Sequence, residues 1–177
     1  MATLDIWSNA ASWRLHGLIQ SALACLLAAR DIPRPIYLCS PWISDFVVFD
    51  NGLGQFSALV PLSSDKVRVY LSDCLAQLSE YQEVRIFSKR TDSTEAFSRI
   101  QAVTRDRIKI KLGDDRLHEK GFLTPYFYLE GSMNITYSGI MLNSEKVVYH
   151  SGHEPETREK MTNAYLEFDR RWKLLSK

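Results

Sequence analysis

Apolar residues recur at helical spacing near the start of the chain. Leu15, Leu18, Ile19, Ala22, Leu23, Leu26 and Leu27 form a broad stripe, the pattern of a helix with one buried face. Ser8 or Asn9 can cap such a helix, and Pro33 and Pro35 stop it, so the spacing predicts a helix to about Arg30. The stretch from Gly17 to Ala29 is apolar enough to resemble the core of a signal peptide. It is too short to span a bilayer and Gln20 and Ser21 interrupt it, so a buried helix is the reading, with secretion the minor alternative.

Further along, Pro35 to Ser40 is a short apolar run between breakers and predicts a buried strand. Residues 50–64 carry Gly52, Gly54 and Pro61 without a firm period and predict a loop with at most one helical turn. Residues 65–81 follow helical spacing, with Asp65 as the expected cap. Strands are predicted over 83–88, 107–112, 117–123, 126–135 and 146–150, with a polar turn at 89–93. Helices are predicted over 94–103 and from Glu156 to Leu175. Strands and helices interleave without a repeat or a linker. This predicts one α/β domain, an α-β-α sandwich with a mixed central sheet flanked by helices.

Composition narrows the class. The 177 residues are 45% hydrophobic and 24% charged, as in an ordinary globular protein. Cys25, Cys39 and Cys74 are odd in number and lack metal-ligand spacing, which argues against a disulfide framework or a zinc site and suits the cytoplasm. Net charge is only +1, but residues 83–111 hold eight Lys and Arg against four Asp and Glu. Any one of these cations reads most simply as part of a solvated face. As a group they point to a polyanion, with Lys89, Arg90, Arg107 and Lys109 as the expected nucleic-acid contacts.

The chemistry concentrates between residues 118 and 145. In a strand, His118 and Lys120 would share one face and Glu119 would point away. A neutral imidazole beside an ammonium suits an anion: the lysine neutralises an oxygen while the ring attacks phosphorus. Alone, an H-x-K triplet is as easily a surface histidine. Gly131, Ser132 and Asn134 would let the backbone approach a ligand and present a hydroxyl and an amide, although the same residues also make plain turns. Glu145 could hold an imidazole N–H.

The ordered string of His118 and Lys120, then Gly131, Ser132, Asn134 and Thr136, then Gly139, Asn143 and Glu145 resembles the conserved block of the phospholipase D superfamily, most of all its short one-motif nuclease-like members. Ser40-Pro41-Trp42 and the last helix with Trp172 also look like that domain. The resemblance implies His118 as a nucleophile forming a phosphohistidine. It implies Lys120 and Asn134 on the non-bridging oxygens, Ser132 in support and Glu145 orienting His118. No metal or cofactor is implied.

The family uses two motifs and this chain has one, so a homodimer is implied, completing the site across a two-fold axis. Pro125 replaces the family's usual aspartate, which leaves a silent DNA-binding or scaffolding subunit as the alternative; a lipid phosphodiesterase is a weaker one. The chain is also similar to the small phospholipase D-like component of bacterial cassettes that insert or restrict deazapurine-modified DNA. DNA, other proteins of such a cassette and no stable membrane insertion are therefore the expected associations.

Overall fold

A computed structural model describes residues 2–30, 33–89, 94–104, 108–113 and 116–175. The chain opens with β1 (Thr3–Ser8) and α1 (Arg14–Ala28), then β2 (Ile36–Cys39) and β3 (Val47–Asp50). A 3-10 turn (Pro61–Ser63) leads to β4 (Arg68–Tyr70), α2 (Leu71–Ser79), β5 (Val84–Lys89), α3 (Thr94–Val103) and β6 (Ile108–Gly113). β7 (Gly121–Leu123), β8 (Phe127–Gly131), a π-helical turn (Ser138–Leu142), β9 (Glu145–Ser151) and α4 (Pro155–Leu174) complete it.

Seven strands form one sheet in the order β1-β9-β8-β7-β2-β5-β6. β2, β5 and β6 run parallel, and the remaining pairs are antiparallel. β3 and β4 make a separate two-stranded ribbon. The sheet is mixed and helices cover both of its faces, as the interleaved pattern predicts.

Strand alternation sorts the two faces. Ile36, Leu38, Val84, Ile86, Phe122 and Leu129 join the aliphatic core under α1 and α2. Tyr37, Cys39, Phe87, Leu123 and Tyr128 face the opposite way, onto Met161, Tyr165, Phe168 and Trp172 of α4. Those four recur at spacings of four, three and four, one stripe of a helix opened by Pro155 at its first turn. Tyr37 meets Phe168 edge to face at 5.4 Å, and Phe87 meets Trp172 at 5.2 Å. Truncating Phe168 here would cost about 3–5 kcal/mol.

Several boundaries differ from expectation. The first helix starts at Arg14 with Trp13, not Ser8 or Asn9, at its N-cap; β1 occupies residues 3–8, and the Ser8 hydroxyl at its end accepts from the Leu15 N–H at 3.2 Å. Residues 65–81 are not one helix. Val69 pairs with Phe49 in the ribbon, and α2 begins at Leu71, where Asp73 accepts from the Tyr70 N–H at 2.9 Å. An acid three residues into the helix caps it better than Asp65 could. Among the described residues, no helix is long and apolar enough to cross a membrane.

Candidate active site

The sheet registers bring the motif residues to one end. β2 ends where β7 begins, with Cys39 opposite Gly121, and β8 ends beside the start of β9, with Gly131 opposite Val147. Ser40, Lys120, Ser132 and Glu145 therefore gather at the same end of four adjacent strands. Lys89 closes β5 at that end too, opposite Gly113.

His118 and Lys120 lie just before β7 rather than inside a strand, contrary to the sequence expectation. Gly121 is where the ladder to β8 starts, and the preceding residues are held by side chains. The Lys120 ammonium donates to the His118 carbonyl at 2.8 Å, folding the triplet onto itself. Glu119 points the other way and pairs with Arg171 of α4. His118 is exposed, and its ring makes no hydrogen bond to the described residues.

Ser132 and Glu145 are joined directly. The Ser132 hydroxyl donates to the Glu145 carboxylate and accepts from the Lys146 N–H at 3.1 Å, while the Ser132 N–H continues the β8–β9 ladder to the Lys146 carbonyl at 3.0 Å. The other Glu145 oxygen accepts from the Asn143 amide at 3.3 Å. Glu145 is buried, so both oxygens need such donors. Within one chain, Glu145 thus holds Ser132 and Asn143 and makes no hydrogen bond or ion pair with His118.

Gly131 is required here. Its φ is +154°, and a Cβ would sit 2.2 Å from the Lys146 carbonyl oxygen. Gly139 has a similar duty, since its Cβ would lie 2.3 Å from the Asn134 carbonyl. The π-helical turn packs against the Asn134 backbone at that point, and Thr136 caps the turn through the Gly139 N–H at 3.0 Å. Thr136, Gly139 and Asn143 therefore shape the backbone and the acid rather than face a substrate.

The segment after β2 was only a loose match in sequence, yet it pins Asn134. The Ser40 hydroxyl accepts from the Ile135 N–H at 3.1 Å, lies 3.4 Å from Asn134 Oδ1 and donates to the Trp42 carbonyl at 2.7 Å. Ser44 accepts from the Tyr137 N–H at 3.0 Å. Two serines flanking a Pro-Trp at a strand end were the available signal, because short hydroxyl side chains bridge backbones.

The basic residues separate. Lys109 pairs with Glu83 at 3.2 Å, near the opposite end of the sheet, and Arg85 pairs with Glu83 and Asp169 there. Burial pushes the Glu83 carboxyl up, but hydrogen bonds from Arg85 and Lys109 outweigh it and leave it below the usual range. Arg90 and Arg107 lie outside the described residues. Of the two that are described, Lys89 is placed at the site end.

Other chemistry is limited. Burial lifts the Cys39 thiol to about 12 against the pull of Arg171 and Lys120, so it is not a nucleophile at neutral pH. His16 contacts the Val47 carbonyl at 3.3 Å, His150 sits between Glu130 and Thr3, and His153 stacks on Tyr126. None belongs to the motif. Among the described residues, no three His, Cys, Asp or Glu side chains gather as a metal would need.

Pro125 stands in the turn between β7 and β8, where Thr124 accepts from the Tyr126 and Phe127 N–H groups at 3.2 and 3.0 Å. β7 runs away from His118, so this turn is at the far end of the sheet from the motif.

No protein-family model matches the chain, and no curated protein matches it in sequence. Solved structures do. Nuc from Salmonella typhimurium, a phospholipase D family member, superposes with a TM-score of 0.52 at 17% identity, over 99% of this chain and 96% of that one. NucT from Helicobacter pylori gives 0.57 at 9% identity, over 98% and 96%. The archaeal chromatin protein TrmBL2, described with a novel mode of DNA binding, gives 0.55 at 9% identity, over 100% of this chain and 54% of its own. The chain has the fold of the phospholipase D family member Nuc along nearly its whole length.

Proposed function

We propose that this chain is one half of a phosphodiesterase centre that cleaves nucleic acid, DNA before RNA, through His118. The observation that carries the reading is the convergence of Lys120, Ser132, Asn134 and Glu145 at one sheet end, with the exposed His118 two residues before Lys120. A solvent-facing ring can reach a substrate. Lys120, whose ammonium meets only a carbonyl among the described residues, retains its charge for a phosphate oxygen.

The chemistry balances as a double displacement. An imidazole nitrogen of His118 attacks phosphorus, a P–N bond forms, and the ester P–O bond breaks as the departing oxygen takes a proton. Water then attacks, giving its proton to the group that protonated the departing oxygen, the P–N bond breaks, and the ring is released. Lys120 and Asn134 take the non-bridging oxygens, and Ser132 with Glu145 holds the strand ends around them.

The proton needs a second imidazole. His16, His150 and His153 are engaged elsewhere, so it comes from the His118 of a second copy, and the working species is a homodimer. Exposed Tyr137 and Leu142, on the turn beside Asn134, suit such a contact. The position of Pro125, far from His118, weighs against the silent-subunit reading. The setting we propose is a bacterial cassette restricting modified DNA.

Cleavage of modified and unmodified DNA in EDTA tests the reading. Wild type should cut with the chelator present and His118→Ala should not. Loss of all cleavage in EDTA, or full activity in His118→Ala, would overturn it.

A further inference from the structure

Lys89 and Lys120 end neighbouring parts of the sheet, with only β2 between their columns. Lys89 is nine-tenths buried, at 9% exposure. Among the described residues, its ammonium meets the Trp42 indole, 5.2 Å from the ring centroid, and no carboxylate. A buried cation normally takes a counter-ion, because desolvation is costly and a ring face offsets only part of it.

Trp42 keeps 37% of its surface exposed. Its loop is fixed to the site: the Pro41 carbonyl accepts from the Lys89 N–H at 3.2 Å and the Ser88 hydroxyl at 3.1 Å. The Trp42 carbonyl accepts from Ser40, whose hydroxyl also faces Asn134. One serine thus links a part-exposed aromatic residue, a buried cation and the amide assigned to the phosphate.

We infer that Trp42 and Lys89 form a nucleotide subsite beside the cleaved linkage, the indole stacking an unpaired base and the ammonium meeting its phosphate. The inference rests on the nucleic-acid reading above. Adjacent strands lie about 4.8 Å apart, so the β5 and β7 columns are about 10 Å apart, a gap that an extended strand bridges in one or two nucleotides. A base paired within a duplex cannot lay its face on an indole, so the subsite favours single strands or extruded bases. Among the described residues Lys89 has no carboxylate, so an apolar protein partner covering Trp42 would supply none, whereas a phosphate supplies the anion that a buried cation favours.

Fluorescence anisotropy in a His118→Ala background tests this without cleavage, using a short labelled single strand and its duplex. Trp42→Ala should weaken single-strand binding about tenfold, with duplex binding changed much less, and Trp42→Phe should recover most of the loss. Lys89→Met should flatten the salt dependence by about 0.7 in log–log slope, one single-strand phosphate contact. Sedimentation of each variant reports the dimer. Unchanged single-strand affinity in both Trp42→Ala and Lys89→Met overturns the subsite, as does a shift of Trp42→Ala toward monomer. Either result leaves the nuclease reading standing if the wild type cleaves in EDTA. A parent that binds neither form of DNA removes both.

Discussion

At the two ends of the central sheet, Arg85 and Lys109 are held differently from Lys120 and Lys89. At the far end, Arg85 sits among Glu83, Asp169 and the Tyr37 hydroxyl, and Lys109 shares Glu83. Arg85 and Lys109 each have a carboxylate there. At the site end, Lys120 reaches a carbonyl and Lys89 an aromatic ring. The backbones also approach most closely there, over Gly131 and Gly139. Among the described residues, Arg85 and Lys109 meet carboxylates while Lys89 and Lys120 meet none, and positive charge held that way suits an anion. Stability and function are therefore separable along the strands.

The largest expected effect comes from the open end. Lys120→Met should lower cleavage roughly a thousandfold, equivalent to about 4 kcal/mol of barrier, with the unfolding midpoint barely moved. Steady-state cleavage beside a denaturant titration reads both. A large loss of stability would show Lys120 to be structural instead.

Gly131→Ala attacks the same end through the backbone. The added carbon meets the Lys146 carbonyl at 2.2 Å, and about 3 kcal/mol of destabilisation follows, read as a lower midpoint at unchanged slope. Arg85→Met is the far-end counterpart. It strands the Asp169 carboxylate and the Tyr37 hydroxyl and should cost about 2 kcal/mol, while cleavage per folded molecule stays at the wild-type value. A drop in that value would erase the distinction between the ends.

The smallest effect is on pH. Burial raises the Glu130 carboxyl, but hydrogen bonds from Lys160 and His150 outweigh it and hold it below the usual range. A depressed carboxyl contributes stability above its unfolded pKa and loses it as pH falls through the folded one. Glu130→Gln should cost about 1 kcal/mol at neutral pH, and the difference from wild type should shrink in acid. A penalty constant across pH would refute that linkage.

Much of this was legible in the sequence, for reasons visible in particular residues. α1 and α4 are correct to within a few residues because their apolar stripes match the faces they bury. β1 escaped because only Ile6 and Ser8 point inward, too few to show alternation. The ribbon escaped because Val67 to Tyr70 fits a helical spacing until Phe49 is there to pair with Val69. In the motif, residue types suggested Lys120, Ser132, Asn134 and Glu145, and the fold brings them to one end. The sequence could not show that Glu145 spends its oxygens on Ser132 and Asn143. Nor could it show that Ser40 ties Asn134 to Trp42, since both depend on strands far apart in the chain. The basic stretch showed its charge but not that Lys109 and Arg85 share Glu83, a pairing set by the β5–β6 register.

The most direct test of the central claim is to trap the reaction on the ring itself. The protein would be quenched in alkali during turnover of a short oligonucleotide in EDTA, and its peptides read by mass spectrometry. The account predicts a nucleotidyl adduct on the His118 peptide, absent in His118→Ala. Efficient cleavage with no adduct on His118, or with the adduct on another residue, would contradict it.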